Sequence, residues 1–332
     1  MFLIRVWCTA SAVCNCPFHK KEKPGNAGLF VARKYGIFQF DTNHSGFQIS
    51  HSTRIFLLTT FAMIAFAGNS LLCRLALKNE GIDAGSFTII RLVSGALVLW
   101  FLVRAGKSTQ TGKGSWMSGL ALFVYAAGFS FAYLNLPAAM GALLLFGSVQ
   151  ITMIVYGMYK GERLQGLALT GFLISLAGFV GLLFPGIAAP PMLAALLMSL
   201  SGIAWGVYSL RGKNEGDPLQ VTAENFVRAS VIAVLLCIVM YPWTMPSNLP
   251  DFTGVIYAVS SGAITSGLGY AIWYSVLPSL KTTTAAIVQL SVPAIAAIGG
   301  VLLLHEPVGL RLVLASIAIL GGIALFVSRK RA

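Results

Sequence analysis

The residues of this chain whose types could do chemistry are few, and most lie inside long apolar segments. Uncharged polar side chains and amphipathic aromatic rings recur there, at Asn69, Gln150, Trp205, Tyr208, Tyr270, Trp273, Tyr274 and Gln289. In an apolar environment such groups either hydrogen-bond to a neighbouring helix or face a wet cavity. These eight positions are therefore candidates for lining a binding cavity, with packing and interfacial anchoring as the alternatives.

Charged residues inside the apolar segments form a second group. Arg91 and Arg228 each lie a turn or two inside a predicted helix, and Glu224 precedes Arg228 by four residues. This spacing places Glu224 and Arg228 on one helix face and predicts an ion pair. A charge within an apolar span indicates function by default, although an arginine near a helix end can also extend to the interface. A structural or gating role and contact with a ligand both remain open for the two arginines.

Two glutamates, Glu162 and Glu306, are expected to begin the fifth and tenth helices. A carboxylate at this position complements the unpaired amide groups and the positive end of the helix dipole. We interpret both as structural or gating charges. None of the ten acidic residues falls at the middle of a predicted span. The sequence therefore favours a neutral, zwitterionic or weakly anionic ligand over an organic cation.

Catalytic and cofactor motifs are absent from the sequence. It contains no Gly-x-x-x-x-Gly-Lys, His-Glu-x-x-His or Gly-x-Ser-x-Gly pattern. Cys14-Asn15-Cys16 lacks the spacing of a zinc site. The net charge of +13 comes from basic residues between the apolar segments and at the termini, which argues against nucleic-acid binding. We predict no metal, no cofactor and no enzymatic activity.

The elements that must position these residues are membrane-spanning helices. The chain is 57% hydrophobic and 10% charged, with a mean hydropathy of +0.81, whereas soluble proteins carry about 25% charged residues. A spanning helix needs about 20 apolar residues and satisfies its own backbone hydrogen bonds. Ten segments are predicted to be such helices, at 55–77, 84–103, 115–135, 138–159, 164–185, 191–210, 220–243, 252–277, 282–304 and 308–328.

The distribution of Lys and Arg predicts the orientation. If the N-terminus lies inside, the outer loops contain only Lys78, and the other basic loop residues are cytoplasmic. The inner set comprises Arg104, Lys107, Lys113, Lys160, Arg163, Arg211, Lys213, Lys281 and the C-terminal Arg329, Lys330 and Arg331. Both termini are therefore predicted to be cytoplasmic.

An internal repeat divides the chain into two units, 54–187 and 188–332. A shift of 144 residues aligns Glu162 with Glu306, and a shift of 137 aligns Arg91 with Arg228. Because five helices is an odd number, the second unit enters the membrane from the opposite side. The two units are then inverted repeats, which is typical of secondary transporters. Residues 1–53 lack this pattern and are interpreted as a cytoplasmic tail, either disordered or the product of a misassigned start codon.

Three stretches resemble the EamA-type families of the drug/metabolite transporter superfamily, and the resemblance extends over about residues 54–328. They are FTIIRLVSGALVL, YKGERLQGLALTGFLISLAGFVGL and LLLHEPVGLRLVLASIAILGGIAL. The resemblance implies a bacterial inner-membrane transporter and favours export. Two positions depart from the family pattern: Val149 stands where the proline equivalent to Pro293 is usual, and His305 replaces the glycine before Glu306.

The sequence thus predicts an all-α integral membrane protein that carries a small metabolite by alternating access. Its expected partners are the substrate and the lipid bilayer, and an amino acid or related compound fits the lack of mid-span acids. A membrane-embedded lipid-modifying enzyme is one alternative, and it would need clustered acids or histidines near one surface. A non-transporting membrane scaffold is the other.

Overall fold

The computed structural model describes residues 50–78, 81–106, 112–161, 165–184, 189–212, 217–240, 250–280 and 288–328. Within these ranges every regular element is a helix. Except for its last four residues, the tail predicted at 1–53 lies outside them. In chain order the helices are α1 His51–Lys78, α2 Ala84–Ala105, α3 Trp116–Tyr133, α4 Ala138–Tyr159, α5 Leu167–Leu183, α6 Met192–Arg211, α7 Pro218–Met240, α8 Phe252–Ser279, α9 Ser291–Leu304 and α10 Leu310–Ser328.

The helices agree with the predicted spans in position and only partly in length. Each of the ten predicted segments overlaps a described helix, and seven helices are long and apolar enough to cross a membrane. The remaining three, α5, α9 and α10, are shorter apolar helices. The all-helical fold is therefore confirmed, while a count of ten complete spans does not follow from helix length.

The outer surface of the bundle is apolar. Large hydrophobic side chains are more than half exposed on several helices, among them Phe61, Phe101, Leu193 and Ile317. In water such a continuous apolar surface would drive aggregation, whereas lipid chains solvate it. This surface and the seven long apolar helices indicate a multi-pass membrane protein.

Helix ends are set by local signals. The Asp83 carboxylate accepts a hydrogen bond from the amide of Ser86 at the start of α2, and Ser115 does the same for Ser118 at the start of α3. Two residues at helix C-terminal ends have positive φ: Gly161 after α4 (92°) and His305 after α9 (52°). This left-handed conformation stops a helix and suits glycine better than histidine.

Packing between the helices follows a pattern that is unchanged when five is added to each helix number. α2 packs on α7, α4 on α9 and α5 on α10. In each of these pairs a helix of the first five contacts its own counterpart in the last five. α3 packs on α6 and α7, while α8 packs on α1 and α2 in the same way. α4 packs on α6 as α1 packs on α9. The first five helices and the last five therefore have matching environments.

The α5–α10 contact is a close helix approach in this pattern. A Cβ atom added to Gly171 would lie 2.5 Å from the carbonyl oxygen of Gly322, and one added to Gly322 would lie 2.6 Å from that of Gly171. Arg311, at the start of α10, donates hydrogen bonds to the carbonyls of Gly181 and Phe184 at the end of α5. The two helices are therefore antiparallel, and the small residues allow their backbones to touch.

Candidate functional site

A buried cavity of about 20 Å³ lies between the two halves of the bundle. This volume holds about one water molecule. Its wall is made by buried residues of α1, α3, α4, α6 and α8, so both halves contribute. The lining residues are Phe66, Asn69, Tyr125, Phe129, Leu145, Phe146, Trp205, Thr265 and Tyr270.

Asn69 connects three helices at one wall of the cavity. Its side-chain oxygen accepts hydrogen bonds from Ser261 Oγ at 2.6 Å and Thr265 Oγ1 at 3.4 Å, both on α8. Its Nδ2 donates to the hydroxyl of Tyr125 on α3 at 3.3 Å. Ser261 and Thr265 belong to a π-helical stretch, Ser261–Leu268, in the middle of α8. Such wide turns inside α-helices occur frequently at functional sites.

Arg91 lies behind this wall and is 1% exposed. Its Nη2 donates to the Tyr125 hydroxyl at 2.9 Å, and its Nε donates to Ser266 Oγ on α8 at 3.3 Å. The guanidinium lies over the rings of Tyr125 and Phe129, 5.1 and 4.8 Å from their centroids. Its Nη1 has no hydrogen-bond partner in the part of the chain that the structure describes. In that part it also makes no ion pair with a carboxylate.

The aromatic wall of the cavity centres on Trp205 of α6. Its ring lies 5.0 Å from that of Tyr270, 4.9 Å from that of Tyr125 and 5.4 Å from that of Tyr208, with which it stacks. Phe66 makes edge contacts with Tyr270 and Trp273. A flat apolar group could pack against these rings.

One end of the bundle is held by what we name the Arg74 clasp, formed by Arg74, Lys78 and Glu306. Arg74 Nε donates to Glu306 Oε1 at 2.9 Å, and its Nη1 donates to the carbonyls of Tyr133 and Leu134 at the end of α3. Lys78 donates to the carbonyl of Leu304 at the end of α9. The clasp joins α1 to helices of both halves.

The sequence predicted that Glu306 begins the tenth helix, and the structure contradicts this prediction. α10 begins at Leu310, and Glu306 Oε2 instead accepts the Ala138 amide at 2.7 Å. The carboxylate therefore complements the N-terminal end of α4, far away in sequence. Its predicted counterpart, Glu162, lies outside the described residues.

The opposite end of the bundle contains what we name the Glu224 cluster, formed by Arg211, Glu224, Asn225 and Arg228. Glu224 Oε2 accepts hydrogen bonds from the Gly114 amide at 2.8 Å and from Arg228 Nη1 at 3.0 Å. The ion pair predicted from the four-residue spacing is therefore present. Asn225 Oδ1 accepts the amide of Ser115, and Arg211 donates to Ser118. These contacts join α6 and α7 to the start of α3.

The structure brings three of the eight cavity candidates onto the wall itself: Asn69, Trp205 and Tyr270. Tyr208 and Trp273 are buried one layer behind it, in contact with Trp205 and Phe66 respectively. Gln150 is also buried away from the lining, and its Nε2 has no partner among the described residues. Tyr274 and Gln289 are half-buried and do not line the cavity.

Several lining residues were missed by sequence reasoning. Tyr125 and Thr265 are polar groups inside apolar spans, so the rule that selected Tyr270 would also have found them. Phe66, Phe129, Leu145 and Phe146 resemble any packing residue of a membrane helix. For these four the sequence contains no distinguishing signal.

Comparison with known proteins gives one family. The model of the EamA-like transporter family matches residues 192–328. An uncharacterized protein of Pseudomonas aeruginosa is 54% identical over 276 residues, which cover 83% of this chain and 95% of that protein. An uncharacterized transporter of Archaeoglobus fulgidus is 24% identical over 270 residues, covering 77% of this chain and 91% of its own length.

A solved structure shares the fold. The crystal structure of another protein matches with a TM-score of 0.59 and 20% sequence identity. The match covers 82% of this chain and 97% of the other. At this level of identity the likeness concerns the arrangement of the helices alone.

Proposed function

The chain belongs to the EamA-like transporter family, and from this premise we propose that it is a secondary transporter of a small metabolite that works by alternating access. The observation that carries the proposal is the buried cavity between the two halves, lined by residues of both. A site at the interface of two repeats is where such transporters bind their substrates.

Inverted repeats supply the two states that the proposal needs. The packing pattern is the same when the two halves are exchanged, and α5 runs antiparallel to its counterpart α10. Gly161 and His305, which are 144 positions apart, both have positive φ. That spacing is the shift at which the sequence aligns Glu162 with Glu306. These features support two copies of one five-helix unit in opposite orientations.

The polar contacts at the two ends fit a pair of gates. With both the Arg74 clasp and the Glu224 cluster formed, the cavity is too small for a metabolite. This arrangement corresponds to the occluded state of the cycle. Release of the clasp would open the cavity at one end, and release of the cluster would open it at the other. Alternating access requires that only one end opens at a time.

The basic loops supply the proposed orientation. With both termini in the cytoplasm, the Arg74 clasp faces outward and the Glu224 cluster faces the cytoplasm. We place the protein in the inner membrane of a bacterial cell, with export favoured by the family resemblance. Amino acids and related neutral, zwitterionic or weakly anionic compounds are the proposed cargo, because no described carboxylate lines the cavity.

Counterflow into liposomes tests the proposal. The purified full chain is reconstituted, loaded with one unlabelled compound at a time, and assayed for uptake of the labelled compound; the panel covers amino acids and small organic metabolites. Saturable exchange of one chemical class is the expected result. Absence of exchange for every compound, by protein shown to be folded, would overturn the transporter proposal and favour the enzyme or scaffold alternatives.

A further inference from the structure

Building on the transport function proposed above, we propose that Arg91 and Tyr125 form an anion-binding subsite, and that the cargo is a small organic carboxylate with an apolar body. The proposal joins an arginine without an acidic partner to the hydroxyl that it contacts on the cavity wall. It narrows the cargo to one chemical class.

The charge of Arg91 is uncompensated where it lies. A buried charge in a membrane-spanning region is costly unless it is paired. The described neighbours of the guanidinium are two hydroxyl groups, of Tyr125 and Ser266, and two aromatic faces. Its Nη1 is buried and has no described acceptor. An anionic cargo in the adjacent cavity would supply the missing negative charge close to the guanidinium.

Tyr125 connects the Arg91 guanidinium to the cavity surface through a hydrogen bond. Its hydroxyl oxygen accepts hydrogen bonds from Arg91 Nη2 at 2.9 Å and Asn69 Nδ2 at 3.3 Å. Its own proton is then available to donate to a cargo oxygen or to the neighbouring Tyr270 hydroxyl. A hydroxyl that accepts from a cation is a stronger donor, because hydrogen bonds in a chain polarise one another. A carboxylate is the acceptor that gains most from such a donor.

The apolar majority of the cavity wall indicates the body of the cargo. Phe66, Phe129, Leu145, Phe146 and Trp205 present only hydrocarbon and aromatic surface, apart from the indole N–H. An apolar group attached to the carboxylate would be buried against them. A small hydrophilic diacid would leave its second charge on this apolar surface and is disfavoured.

The positions of the acidic residues argue against a cationic cargo. Asp83 caps α2, Glu224 belongs to the Glu224 cluster and Glu306 belongs to the Arg74 clasp. None of them lines the cavity, and Arg91 would repel an organic cation. A neutral cargo would leave the Arg91 charge uncompensated.

Binding of a carboxylate here would also couple cargo to closure. Arg91 lies on α2, Tyr125 on α3 and Ser266 on α8, so both halves meet at the guanidinium. A carboxylate that accepts a hydrogen bond from Tyr125 beside Arg91 favours the conformation in which these helices are close. Differential affinity of this kind is what allows a ligand to shift a conformational equilibrium.

The test compares carboxylates with neutral isosteres on the intact protein. 4-Methylpentanoate and phenylacetate, each beside its primary amide, are titrated into the purified full chain, with thermal unfolding as the readout. Sodium chloride at the same ionic strength serves as the anion control. We expect at least one carboxylate to raise the unfolding temperature. The apparent affinity of its amide should be about tenfold or more lower, as for loss of a charge-assisted hydrogen bond.

Two variants locate the subsite. Arg91→Gln and Tyr125→Phe are expected to abolish the preference for carboxylate over amide, whereas Arg104→Gln, whose guanidinium lies over the ring of Trp100 on the outer surface, should retain it. Arg91→Lys keeps the charge but loses the planar guanidinium fork, so it is expected to weaken the preference and provides a folded alternative if Arg91→Gln does not fold. Retention of the full preference in Tyr125→Phe and in either Arg91 variant that folds would overturn the assignment.

Other outcomes separate this inference from the transport proposal. Counterflow of neutral or cationic compounds, without carboxylates, would leave the transporter standing and overturn the carboxylate subsite. Equal stabilisation by chloride and by the carboxylates would also overturn it, since the site would then recognise any small anion. Absence of all exchange would instead remove the transport function on which the inference rests.

Discussion

Arg74 and Glu306, 232 positions apart in the sequence, are joined by a hydrogen-bonded ion pair of 2.9 Å. Their side chains are only 14% and 9% exposed. Because the Glu306 carboxylate also accepts the first amide of α4, one residue between α9 and α10 holds α1 and α4 in place. Nothing in the local sequence around either residue indicates this pairing.

Glu306→Gln is expected to loosen this end of the bundle. Removing one charge from a buried pair leaves the other uncompensated, at a cost of about 3 kcal/mol in stability. The thermal unfolding temperature of the purified protein measures this loss. The matched control is Arg228→Gln, because that pair is 25% and 33% exposed and is expected to cost about 0.5 kcal/mol. Equal losses in the two variants would contradict the importance of the Arg74 clasp.

The same variant tests whether the clasp is a gate. Cys73, adjacent to Arg74 in α1, is fully buried and has a free thiol. In a protein whose Cys8, Cys14, Cys16 and Cys237 are replaced by serine, maleimide labelling of Cys73 should be slow. Glu306→Gln is expected to accelerate it by favouring the conformation open at that end. An unchanged labelling rate in folded protein would argue for a purely structural clasp.

Adjacent glycines of α10 provide a test of the helix interface. A Cβ at Gly322 would lie 2.6 Å from backbone atoms of α5, whereas one at Gly321 would meet no atom within 4 Å. Gly322→Ala should therefore cost about 1–3 kcal/mol through overpacking. Gly321→Ala should stabilise the protein by up to about 1 kcal/mol, because alanine is the better helix former. Thermal unfolding of both variants checks this, and a milder effect at Gly322 would refute the close approach.

His305 is a second position at which a substitution is expected to stabilise the protein. Its φ of 52° is in the left-handed region, which costs a non-glycine residue about 1 kcal/mol or more. His305→Gly should therefore raise the stability by about 1 kcal/mol. His305→Ala, which retains the strain, is the control. If the two variants unfold at the same temperature, relief of backbone strain is not the cause.

Trp205 tests the placement of the site. Its ring lines the cavity and contacts three tyrosines, whereas Trp100 on α2 is 41% exposed on the outer surface. Trp205→Ala should raise the half-saturating substrate concentration in counterflow about tenfold or more, because aromatic side chains contribute most of the buried contact in such sites. Trp100→Ala should leave it unchanged. Equal effects in both variants would place the binding site elsewhere.

Reporter fusions test the orientation. A fluorescent protein that folds only in the cytoplasm, fused after the last residue, is expected to fluoresce, and alkaline phosphatase at the same position is expected to be inactive. Both reporters inserted at 189–190, between α5 and α6, should give the reverse result. The opposite pattern at both sites would invert the proposed topology and exchange the faces of the clasp and the cluster.

The sequence by itself determined the features that depend on residues close together in the chain. Apolar segments of spanning length predicted the positions of the helices, because a backbone in lipid must satisfy its own hydrogen bonds. The Glu224–Arg228 pair followed from a four-residue spacing on one helix. The division into two units was predicted because Glu162 aligns with Glu306 and Arg91 with Arg228 at similar shifts.

Only the tertiary structure decided which side chains meet across helices. Asn69 and Tyr270 were recognised as polar groups in apolar segments, but the cavity that they share depends on the packing of α1 against α8. Likewise, Arg91 was recognised as a charge inside a span, but its contact with Tyr125 was not. Helix periodicity predicts the face on which a residue lies and does not predict the helix that covers that face. The partners of Glu306 and the π-helical stretch of α8 were decided in the same way, by packing between distant parts of the chain.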